Sequence, residues 1–208
     1  MTDDGLLRLG GLVERALTDA LVALNQADLV LADGVVRGDL EINRVRYQIE
    51  EEITSGLSGS QAADVRWMVA ALYVVSEFER MGDHAEGIAK VTLMLGPGAD
   101  MKVPAVVTEM GARTASMVHR TLAALEKRDA KAARALCRED DEIDWLYDRA
   151  YQELISTMIA DPQHITEATY MIWITHNLER IADRATNICE RVVYLVTGRV
   201  EELNVSKY

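Results

Sequence analysis

The sequence predicts an all-α fold made of two tandem three-helix bundles. Three observations carry this: a composition rich in helix formers, apolar residues spaced three and four apart, and an internal repeat that spans the chain. Apolar residues make up 49% of the 208 positions, enough for a sizeable core, and only three prolines and thirteen glycines interrupt them. Ala, Leu, Glu, Arg and Met are common, and all favour helix.

The repeat is plainest in two decapeptides, ERMGDHAEGI from Glu79 to Ile88 and ERIADRATNI from Glu179 to Ile188. Upstream, Leu21, Leu24 and Asp28 match Leu122, Leu125 and Asp129 at an offset of 101, and GDLEIN (Gly38 to Asn43) matches EDDEID (Glu139 to Asp144). The offset is 100 by Glu79 and Glu179, so the second copy lacks one residue between Asp144 and Glu179. That interval holds TSGLSGS in the first copy and ADPQHIT in the second, both of loop character.

Each copy divides into three helices. The first covers roughly Leu6 to Leu24 and Val106 to Leu125. Asp28 and Asp129 suit the N-caps of the second helices, which run to about Ile53 and Ile159. The third helices begin near Gln61 and Thr166 and end near Leu95 and Thr197, with Gly198 at the C-cap. They carry the clearest stripes: Val74, Phe78, Met81, Ala85 and Ile88, then Ile174, Leu178, Ile181, Ala185, Ile188, Val192 and Leu195. Met and Trp residues on such stripes are read as core. Pro97 and its flanking glycines cannot continue a helix. The predicted organisation is a first bundle over residues 1–95, a linker over 96–104 and a second bundle over 105–208.

Charge and composition narrow the function. The net charge of −12 disfavours nucleic acid, which needs Lys and Arg to replace phosphate counterions, and disfavours direct attachment to an anionic membrane. Metal cations or a basic protein surface suit it better. Cys137 and Cys189 have no metal-type spacing and read as two buried small hydrophobes. The N-terminal MTDDGLLRLG has acids where a secretion signal needs bases, and the longest apolar run, WMVAALYVV, is too short to span a bilayer. The expected location is the cytoplasm.

The shared acids lie off the apolar stripes. At about 100° per residue, Glu79 and Asp83 fall roughly 100–140° from Phe78, and Glu179, Asp183, Asn187 and Glu190 form the matching ridge. They are expected to face outward or into a groove, unlike the inward carboxylates and Glu-x-x-His motif of di-iron bundles. The second helices carry Asp39 with Asn43 and Asp140 with Asp144, each pair four apart on one face. Two adjacent helices could so present four oxygens per copy to a hard or borderline cation such as Mg, Mn or Fe. One such acidic pair is ordinarily a solvated face, and Arg80 could bridge Asp83 at i, i+3. The recurrence of both pairs favours cation binding, although common ancestry alone could preserve them. His84 becomes Arg184 in the second copy, which gives it no paired role, and His119, His164 and His176 are scattered. No phosphate-loop, dinucleotide, zinc-protease or nucleophile-elbow pattern is present.

The segments EFERMGDHAEGIAK, NLERIADRATNICERVVYLVTG, VVRGDLEIN and CREDDEIDWLY resemble the PhoU family, bacterial regulators of phosphate uptake and phosphate signalling. The resemblance covers nearly the whole chain, both copies in order. It implies tandem three-helix bundles with pseudo-twofold symmetry and surface clusters of divalent or trivalent metal ions (Fe, Mn, Mg or Zn). By motif position the ligands would be Asp39, Asn43, Glu79 and Asp83 in the first copy and Asp140, Asp144, Glu179, Asp183 and Asn187 in the second. Gly87 stands where the second copy has Asn187, so unequal occupancy is expected. The resemblance further implies a negative regulator rather than an enzyme. Its partners would be the ATPase subunit of the phosphate ABC transporter and a phosphate-sensing histidine kinase, with a homodimer expected and membrane contact only through partners. Two other readings stand beside it: a metal-dependent hydrolase or oxidase using the acidic clusters, and a purely structural bundle without ligand. The lack of a nucleophile and of histidine at the ridges favours the regulator over the enzyme, and the long repeated polar signatures favour it over the bare bundle.

Overall fold

The computed structural model describes residues 3–56, 62–99 and 101–203. Among the described residues six α-helices run in the order α1 (Asp3–Gln26), α2 (Leu29–Gly56), α3 (Ala62–Leu95), α4 (Ala105–Lys127), α5 (Ala130–Ala160) and α6 (Ile165–Thr197). A 3-10 turn at Pro162–His164 separates α5 from α6. The predicted start of the third helix at Gln61 lies outside the described residues; its end at Leu95 and the end of α6 at Thr197 agree with prediction.

The local chemistry is the same in both copies. Ala27 and Arg128, equivalent by the repeat, both adopt a left-handed backbone, with φ of 52° and 49°. That costs a non-glycine residue roughly 1–2 kcal/mol. It lets the next amide fold back: Asp28 N–H reaches Ala23 O and Asp129 N–H reaches Ala124 O, both at 2.9 Å. Asp28 and Asp129 then cap α2 and α5 as predicted. Asp28 Oδ1 accepts from the amides of Val30 and Leu31, and Asp129 Oδ1 from those of Lys131 and Ala132. Gly198 closes α6 at φ 71°.

The third helices are the spine. Every residue of the stripe from Val74 to Ile88 and from Ile174 to Val192 is buried, Phe78 at 1% exposure. Each of the larger side chains among them contributes about 1.5–3 kcal/mol. Leu195 is only half-buried. The assignment of Trp to the core needs correction. Met81 and Met171 are buried, but Trp145 and Trp173 are 59% and 47% exposed, because they sit on other faces of α5 and α6. Cys137 and Cys189 are buried and unlinked, as expected.

α1, α2 and α3 pack together, as do α4, α5 and α6; α3 also packs on α6, and α1 on α4. The two bundles therefore share one continuous apolar core. Among the described residues α2 and α5 pack neither on each other nor on the other copy's helices, so they flank the central α3–α6 pair.

Both junctions between the copies are pseudo-symmetric. At α1–α4, a Cβ on Gly10 would lie 2.5 Å from Leu122 Cδ1, and a Cβ on Gly111 would lie 2.7 Å from Leu21 Cδ2. Gly10 and Gly111 are equivalent, as are Leu21 and Leu122, so each copy's leucine fills the hollow over the other's glycine. The α3–α6 junction is antiparallel. His84 Nδ1 lies 2.9 Å from Asn177 Oδ1, and the equivalent residues Arg184 and Glu77 meet at 3.4 Å.

Candidate functional site

The shared acids lie along the α2–α3 and α5–α6 grooves. In the first copy Gly82 lets α2 approach α3: a Cβ there would sit 3.1 Å from Ile42 Cδ1 and 3.7 Å from Asp39 Oδ1. Asn43 Nδ2 donates to Asp39 Oδ2 at 2.7 Å, while Asp39 Oδ1 is buried without a hydrogen-bond partner. Burial raises the Asp39 carboxyl above its ordinary range, with help from Glu86 and Asp83. Glu86, which the motif comparison passed over, therefore belongs to this ridge; Lys90 pairs with it at 2.6 Å. Asp83 is exposed. Glu79 accepts a hydrogen bond from Arg46 Nη1, and Arg46 Nε holds Glu50 at 2.9 Å.

The second copy differs. Asp144 is half-buried, and Asp140 is only 2% exposed. Tyr147 occupies the place of Arg46. Glu179 Oε2 is buried with no hydrogen-bond partner; His176 Nδ1, at 3.8 Å, is beyond bonding reach. Burial, and then the adjoining Asp183 carboxylate, push Glu179 up to about 7. Burial raises Asp183 too, against the opposing pull of Arg180, which it meets at 2.7 Å. The i, i+3 bridge expected between Arg80 and Asp83 thus forms at the equivalent Arg180 and Asp183.

Asn187 does not turn toward this groove. Its Nδ2 donates to Glu77 Oε2 at 3.3 Å, across the α3–α6 junction. Gly87 is its counterpart in packing as well: a Cβ there would meet Asn177 Oδ1 at 3.0 Å. Nor is His84 without a paired role. Its image Arg184 makes the matching cross-junction contact, and the signal was the set of differences Glu77/Asn177, His84/Arg184 and Gly87/Asn187. Burial holds the His84 imidazole below its ordinary value.

Among the described residues no three His, Cys, Asp or Glu side chains converge tightly enough to form a ready cation cage. The donor chemistry still separates the two grooves. In the second, Glu179 keeps a buried, unbonded oxygen and interacts with Asp183 and Asp144, an oxygen set suited to a hard cation. In the first, a guanidinium already covers Glu79.

A helical tandem repeat with its shared carboxylates set along two helix–helix grooves is a defined class of protein. The model of the PhoU domain matches residues 6–92 and 107–192, one domain in each copy. The phosphate-specific transport system accessory protein PhoU homolog of Clostridium acetobutylicum is 32% identical over 202 residues, covering 96% of this chain and 92% of that one. The homolog from Pseudomonas aeruginosa is 36% identical, covering 93% and 81%. The crystal structure of PhoU from Pseudomonas aeruginosa superposes with a TM-score of 0.89 at 35% identity, covering 94% of this chain and 95% of that chain. The phosphate transport system regulatory protein PhoU from Streptococcus pneumoniae gives 0.90 at 33% identity, covering 96% and 95%. The chain belongs to the PhoU family.

Proposed function

We propose that this chain is an accessory regulator of phosphate transport. It restrains phosphate uptake and the phosphate-starvation response as a metal-binding adaptor between the ATPase subunit of the phosphate ABC transporter and a phosphate-sensing histidine kinase. The observation that carries the reading is the family signature, carried by both α3 and α6, with Gly87 in place of the asparagine in the first, in a chain whose relatives bear phosphate-transport names. No described helix is long and apolar enough to cross a membrane, which agrees with reaching the transporter through partners in the cytoplasm. A homodimer is part of the proposal.

Asp140, Asp144, Glu179 and Asp183 would hold the metal in the second copy. A bound divalent ion would supply positive charge to a ridge that otherwise has too little. The chain's own part is to keep those carboxylates on two rigid helices, half-shielded from water, so that little ordering is needed on binding.

Deleting the gene tests the regulatory role. The expected result is starvation-gene expression in phosphate-rich medium. Unchanged transporter expression, with no second family member in the cell, overturns it. Capture of the ATPase subunit and the kinase by the tagged protein tests the adaptor role.

A further inference from the structure

We infer that Arg46 is a built-in cation of the first ridge: its guanidinium takes the place beside Glu79 that a metal ion would need, leaving the second ridge as the one open to divalent cations. This rests on the cation-binding reading and departs from the expectation of one metal cluster per copy.

The argument is a comparison of equivalent residues. Asp39, Asn43, Arg46 and Glu50 on α2 correspond to Asp140, Asp144, Tyr147 and Tyr151 on α5. Glu79 and Asp83 correspond to Glu179 and Asp183. In the first ridge Arg46 bonds Glu79 through Nη1 and Glu50 through Nε, bridging α2 to α3. Its side chain is 26% exposed and that of Glu79 18%, so both ends of the pair are shielded. Asn43 turns its amide N–H, not its oxygen, toward Asp39. A cation entering here would have to displace a guanidinium held at two points and meet an amide donor.

The second ridge has neither obstacle. Tyr147 carries no charge and packs beside the His176 ring, with centroids 6.5 Å apart. Asp144 replaces the amide of Asn43 with a carboxylate. Arg180 holds Asp183 at 2.7 Å on its own helix, but at the position of Arg46 the second ridge has the uncharged Tyr147. A cation there meets carboxylate oxygens where the first ridge presents an arginine and an amide N–H.

The test measures Mn2+ bound by the full chain, by metal analysis after dialysis and by calorimetric titration. Circular dichroism melts verify the fold of each variant. Glu179→Ala with Asp183→Ala should abolish Mn2+ binding, and Glu79→Ala with Asp83→Ala should leave it unchanged. Tyr147→Arg should lose the ion. Arg46→Tyr should gain an additional Mn2+ that a further Glu79→Ala removes, and Arg46→Lys, which keeps the charge, should gain none. Equal losses from the two alanine pairs, or no gain in Arg46→Tyr over a binding wild type, overturn the inference and leave cation binding standing. If the wild type binds none and Arg46→Tyr gains an ion, the blocking role stands and the second ridge is not a site. If neither binds, both readings fall.

Discussion

Asn177 Oδ1 stands 2.9 Å from His84 Nδ1, across the antiparallel boundary between α3 and α6. Rotation about the pseudo-twofold axis carries this contact onto Glu77 and Arg184. One half of the junction is a neutral hydrogen bond and the other an ion pair, built at equivalent positions. The packing hollow is exchanged likewise, Gly87 receiving Asn177 where Glu77 receives Asn187.

Glu77→Ala should destabilise the protein by about 2–3 kcal/mol, because it leaves Arg184 shielded from water without its counter-charge. The side chains of Glu77 and Arg184 are 12% and 15% exposed. Urea denaturation reads the effect, and the double variant with Arg184→Ala should lose less than the two single losses together. A denaturation midpoint unmoved by Glu77→Ala would show that the junction does not depend on this pair.

At the other junction, Gly10→Ala and Gly111→Ala should each cost stability. Overpacking costs about 1–3 kcal/mol, against a helix-propensity gain of about 1 kcal/mol. Gly34 and Gly38 on α2 are the controls, since nothing lies within 4 Å of a Cβ at either. Alanine there should stabilise by about 0.5–1 kcal/mol. Thermal melts that ranked all four alike would refute the leucine-in-hollow account.

Glu179 gives the protein a pH signature. Its ordinary value is 4.5 and its folded value about 7, so between these the folded state holds a proton that the unfolded state releases. Stability therefore falls as pH rises through that window, and the penalty is complete above it. In chelator-treated protein, Glu179→Gln should be more stable than wild type at pH 8, by on the order of 2 kcal/mol, and indistinguishable from it below about pH 4.5. A constant difference across the range would mean that the carboxylate is well solvated after all.

Neither thiol should react with Ellman's reagent in the native protein, and both should react in denaturant. Cys137 and Cys189 are 4% and 0% exposed. The neighbouring Cys189 sulfur, and then burial, push the Cys137 thiol up, and Cys137 Sγ lies 3.8 Å from Thr186 O. Rapid native labelling of either cysteine would show that α5 parts from α6 more readily than this packing allows.

The helices were legible because their signals are local. Asp28 and Asp129 each sit beside their own helix, and the stripe from Val74 to Ile88 needs only spacing. The acids were placed on the right helices, but their surroundings were not. Arg46 reaches Glu79 across 33 residues, and a helical wheel does not show which neighbouring helix covers Asp140. Matching the copies also discards what differs between them, and the α3–α6 junction is made of differences. Gly87 therefore read as a missing ligand, when its absent side chain makes room for Asn177.

The halves are consequently not interchangeable. If two first halves faced each other, each Glu77 would meet His84, and neither Gly87 would have an asparagine to fill it. If two second halves did so, Asn187 would press into Asn177 on both sides, and each Arg184 would lose its acid. The junction works only with one half of each kind, in the manner of an obligate heterodimer whose two subunits happen to be translated as one chain.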